Sequence, residues 1–92
     1  VPYAAATIEA VERAPRGLHK TLARAAIKLG MPIAQVARAV GATRWTVYRW
    51  FRGHEVSNAY RQRVTEVALI LEKSSTQEEA WRSIQTRFNQ AP

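Results

Sequence analysis

Apolar residues along this chain recur at spacings of three and four, and nowhere alternate with polar ones over a useful length. That rhythm predicts helices rather than strands. Leu18, Leu22, Ala25, Ala26 and Leu29 make one stripe, and Val64, Val67, Ala68 and Leu71 make another. Glycine and proline separate the stripes. Pro15 and Gly17 end a first, alanine-rich helix expected over Ala4 to Ala14, because the residue before proline avoids helical backbone angles. A second helix is expected from Leu18 to Leu29, stopped by Gly30, and a third from Ile33 to Val40, with Pro32 tolerated at its start. The fourth covers about Arg44 to Arg52, with Thr43 as N-cap, since its hydroxyl can accept from a free amide of the first turn. The fifth starts after Ser57 or Asn58 and runs to about Lys73. The sixth opens on a capping box, Thr76 with Glu79, and carries Trp81, Ile84 and Phe88 at helical spacing. Either aromatic there suits the core or a partner-facing stripe.

The predicted fold is therefore all-α, a compact bundle of five to six short helices. Three parts are expected: residues 1–17, a short helix with a basic arm; residues 18–73, the central helical unit; and residues 74–92, a C-terminal helix that completes the core or joins an oligomer.

Composition narrows what such a bundle can do. Ninety-two residues bury a modest core and leave little room for a two-lobed enzyme cleft. The absence of cysteine removes disulfides, thiolate metal sites and thiol catalysis. His19 and His54 are far apart in sequence, and every acid is a glutamate, so neither a metal nor another cofactor is expected. A nuclease would need clustered carboxylates for its metal ions. The basic middle of the chain has one glutamate, and no enzyme activity is expected. No apolar run approaches the roughly 18 residues that span a bilayer, and Val1 to Ala6 show no secretory pattern. The expected location is the cytoplasm.

Charge changes the picture more. The net charge is +7, but eleven of the 14 Lys and Arg residues lie between Arg13 and Arg63, with Glu55 the one acid among them. Such a segment is a footprint for a polyanion, or more blandly a solvated basic surface. Arginine dominates, which favours planar, bidentate recognition.

The run from Ile33 to Gly53 concentrates these features. Two short helices meet at a tight turn around Gly41, where glycine suits a positive φ. Ala37 is small enough for a close helix crossing, and Val36, Val40, Val47 and Trp50 fall where side chains must point inward. These traits satisfy a helix-turn-helix, whose second helix enters the DNA major groove. At about 100° per residue, Arg44, Trp45, Tyr48, Arg49 and Arg52 fall opposite Val47 and Trp50, with Phe51 near the boundary. Arginine can bond guanine O6 and N7, and apolar surface can meet the thymine methyl. The alternative for Trp45 and Tyr48 is packing on a neighbouring helix or a dimer partner.

The segment Gly41-Ala42-Thr43-Arg44-Trp45-Thr46-Val47-Tyr48-Arg49-Trp50-Phe51-Arg52-Gly53 resembles the turn and recognition helix of the Cro/C1-type (lambda-repressor-like) helix-turn-helix family. The likeness extends over roughly Leu18 to Leu71. It implies base contacts from Arg44, Trp45, Tyr48 and Arg49, and phosphate contacts from Thr43, Arg52, Asn58 and Arg61. The chain departs from the family pattern at Ile33, where a phosphate-contacting glutamine is usual, at Phe51, often a glutamate, and at Trp45, usually smaller and polar. Thr46 to Trp50 is also similar to the DNA-binding tails of transposases and resolvases.

In the flank, Arg13, Arg16, His19 and Lys20 are expected as a mobile basic arm, with Arg16 and Lys20 on DNA phosphates; a solvated turn is the plainer option. His54 is expected as an exposed loop residue. The implied function is sequence-specific binding of double-stranded DNA by a homodimer, as in a small phage or bacterial repressor. The alternative is a phage DNA-packaging (small terminase) subunit or a recombination accessory protein that uses the same motif to mark DNA.

Overall fold

The computed structural model describes residues 3–88. Residues 1–2 and 89–92, the ends of the expected terminal segments, lie outside them. Among the described residues there are six helices and no strand: α1 Ala5–Arg13, α2 Leu18–Leu29, α3 Ile33–Val40, α4 Arg44–Phe51, α5 Asn58–Lys73 and α6 Gln77–Phe88. The fold is all-α, as the apolar spacing predicts. None of these helices is long and apolar enough to cross a membrane.

Local chemistry sets the boundaries. Gly41 ends α3 at φ 74°, in the left-handed region. There the Ala42 amide turns back to donate to the Ala37 carbonyl at 3.0 Å, which satisfies a backbone acceptor the helix leaves open. Thr43 then caps α4, its hydroxyl accepting from the Thr46 amide at 3.1 Å. Arg52, expected as the last residue of α4, is instead its C-cap. At α6 the Thr76 hydroxyl accepts from the Glu79 amide at 3.1 Å, as a capping box requires. The returning Glu79 carboxylate accepts from Ser75, one residue before the cap, at 2.6 Å.

One cluster of buried side chains joins all six helices, including Val11, Leu22, Val36, Val47, Val64, Leu71 and Ile84. The terminal segments therefore belong to the same body as the central helices. The Cα radius of gyration is 12.0 Å, close to the value of about 12 Å for a compact chain of this length. Three polar clasps hold α3, α5 and α6 together. Arg63 Nε donates to the Ala39 carbonyl at 2.9 Å while its guanidinium sits 3.7 Å from the Phe88 ring centre. Arg38 lies over Trp81, and Arg87 pairs with Glu66.

The N-terminal flank differs most from expectation. Tyr3 is buried, stacks on Phe51 at 5.6 Å, and donates its phenol proton to the Met31 carbonyl at 2.6 Å. Of the residues expected as a basic arm, Lys20 and His19 are engaged by the fold, and residues 14–17 form the turn between α1 and α2. Lys20 Nζ donates to the carbonyls of Glu12 and Ala14 at 2.9 and 3.0 Å. It thereby places a cation at the negative end of α1, a favourable helix-dipole contact. His19 is 1% exposed, so it belongs to the interior rather than to an arm. Arg13 and Arg16 remain exposed.

Candidate nucleic-acid interface

An eight-residue helix cannot hold its own shape in water, so α4 depends on what its inner side buries. Val47, Trp50 and Phe51 form that side, each 4% exposed or less. Burying each contributes about 1.5–3 kcal/mol. Trp50 meets the Tyr60 ring edge-on at 5.5 Å, and Phe51 is covered by Tyr3. Phe51 thus falls inside rather than at the boundary, because a residue far away in sequence closes over it.

The opposite side is open to solvent. Arg44, Trp45, Tyr48, Arg49 and Arg52 are all exposed, Trp45 at 67% and Tyr48 at 37%. Neither aromatic is packed away on a neighbouring helix. They stack on each other, ring centres 5.9 Å apart and planes 22° from parallel. Arg52 donates to the Tyr48 hydroxyl at 3.0 Å and places its guanidinium 5.7 Å from that ring. These contacts link the exposed side chains of the outer face to one another. Chemically the face offers arginine forks for paired acceptors and flat apolar surface for rings or methyl groups.

Ile33, Arg44, Trp45 and Tyr48 together line a shallow, open, largely apolar recess where α3 begins beside α4. In the sequence Ile33 stands out only as the residue in place of a usual glutamine. Its position after Pro32, at the first turn of a helix that must cross α4, is the signal that could have placed it here. A second recess is lined by Thr46, Arg49, Trp50, His54, Glu55 and Ser57. It brings Glu55, the one acid of the basic stretch, to the same surface as Arg49.

The expected phosphate-binding residues divide. Asn58 and Arg61 are exposed on the first turns of α5, and neither α4 nor α5 has an acid in its first turn. Helix N-termini without acids attract anions, and that of α5 also has no side-chain cap. The α1–α2 turn passes beside the end of α4, since a Cβ added at Gly53 would lie 3.6 Å from that of Ala14. Arg16 is therefore carried on a turn adjoining the segment that follows Arg52. Thr43 is exposed, but its hydroxyl proton already goes to Thr46 Oγ1 at 3.0 Å. To hold a phosphate it must redirect that proton. Lys20 has its ammonium engaged at the end of α1.

The charge run is thus less uniform than the sequence suggests. Lys20 and Arg63 are half-buried in internal contacts, while Arg38 over Trp81, Arg24 paired with Glu12 at 3.4 Å and Arg52 bonded to Tyr48 are engaged but exposed. Arg44, Arg49, Arg52 and Arg61 stay exposed on α4 and α5 and on the segment between them. Among the described residues no group of three His, Cys, Asp or Glu could hold a metal ion. Comparison with protein-family models, curated proteins and solved structures gave no significant match to the chain.

Proposed function

We propose that this protein binds double-stranded DNA sequence-specifically, as a small phage or bacterial transcriptional regulator of the repressor or Cro kind, working in the cytoplasm without catalytic chemistry. The observation that carries the reading is the outer face of α4: Arg44, Arg49 and a stacked Trp45–Tyr48 pair, with Arg52 at the C-cap, all exposed on a segment whose other side is buried in the core. A helix of that width fits the major groove. Arg44 and Arg49 then read base edges together with Trp45 and Tyr48. Arg52, Asn58, Arg61 and Thr43 hold phosphates, with Arg16 beside them on its turn and Lys20 contributing only if it leaves α1. Bound DNA is closed to polymerase by simple occupancy.

One short helix reads few base pairs, so the proposal includes a homodimer on a palindromic site. The test selects bound duplexes from a random library and measures the molar mass of the free protein. A palindromic consensus with a dimer is the expected result. Sequence-indifferent binding by a ring would replace the regulator with a DNA-packaging subunit, and no binding to any duplex would overturn the reading.

A further inference from the structure

The recess at the start of α3 has a chemistry that the arginines do not explain. Three of its four lining residues, Ile33, Trp45 and Tyr48, present apolar surface, and the fourth, Arg44, brings a guanidinium to its edge. Trp45 is 67% exposed, so covering the indole on binding would remove apolar surface from water and favour the complex. Because the recess is open on its outer side rather than closed around a volume, it cannot enclose a base, but it can contact a small group pointing out of a groove floor. The major groove offers one apolar group of that size, the 5-methyl of a pyrimidine. A guanidinium next to such a group can at the same time bond O6 and N7 of an adjacent guanine.

We propose that Ile33, Trp45 and Tyr48 form a methyl-reading slot, which selects a 5-methylated pyrimidine lying next to a guanine held by Arg44. The inference rests on the DNA-binding reading and deepens it, giving the class of base step that α4 recognises. The methyl can belong to thymine or to 5-methylcytosine, which present it at the same place on the ring. Where the slot takes both, binding at a cytosine–guanine step rises when that cytosine is methylated.

The test uses the full chain and its own selected duplex. Each thymine is exchanged in turn for deoxyuracil, which removes the methyl and nothing else. One position per half-site, next to a guanine, should then lose about fourfold in affinity, the value of one buried methyl. In Ile33→Ala and Trp45→Ala the thymine-to-uracil ratio at that position should fall toward one. The ratio is taken within each variant, so a general loss of affinity or of folded protein cancels. A cytosine and a 5-methylcytosine at the same position separate the two sources. Tighter binding of the methylated base shows that the slot takes either. Equal binding, with thymine still preferred over uracil, confines it to thymine. Sequence-specific binding with a ratio of one at every thymine overturns the slot and leaves the DNA reading intact. A protein that prefers no duplex overturns both.

Discussion

Gly17 has room for a hydrogen and nothing larger. A Cβ there would meet the His19 ring at 2.7 and 2.8 Å, and that ring is itself buried. Gly17→Ala is expected to cost about 1–3 kcal/mol in urea denaturation. Adding His19→Ala should cost less than the two changes separately, because the second removes what the first strikes. Tyr3 makes a different demand. Burial pushes its phenol above the ordinary tyrosine range. Below about pH 10 the folded and unfolded chains both keep the proton, and its contribution is whole. Above that the unfolded chain releases the proton first, so stability falls as pH rises toward the folded value. Denaturation midpoints at pH 8 and about pH 11 should drop less in Tyr3→Phe than in the parent chain. A drop of equal size in both would remove this account of Tyr3. On the outer face, Arg49→Ala should cost about 1–3 kcal/mol on the selected duplex and relax preference at one base pair. Equal losses on selected and random duplexes would sink its base-reading role.

At the scale of elements, α4 is short and its first turn hangs on one hydroxyl. Thr43→Ala should destabilise the protein by about 1 kcal/mol, with faster hydrogen exchange at the Thr46 amide as the local sign. The helix limits were legible because glycine, proline and threonine mark them chemically: Gly30, Gly41, Pro15 and Thr43 act on their immediate neighbours. The outward face of α4 was legible for a similar reason, since a helix repeats on itself whatever surrounds it. Phe51, His19 and Lys20 were not. The wheel leaves Phe51 on an edge that packing from other elements, Tyr3 among them, decides, and Lys20 reads as a free cation until the end of α1 arrives beside it. Those outcomes belong to contacts between helices, which spacing along the chain does not encode.

At the scale of the whole molecule, the net charge of +7 is a poor guide to the charge that a partner meets. Removing Arg61, exposed on α5, should weaken every duplex alike and lower the slope of log affinity against log salt by about one. Removing Arg63, which is tied to Ala39 and Phe88, should instead lower the melting temperature and leave that slope nearly unchanged. Matching slopes for the two variants would show that the internal clasp opens on binding. The anchorage of α4 through Tyr3 and Phe51 also bears on how small a working piece can be. A fragment begun at Leu18 would keep every residue of the outer face and yet strip the cover from its reverse. Such a truncation should lose its footing on DNA by melting, with all its fingertips intact.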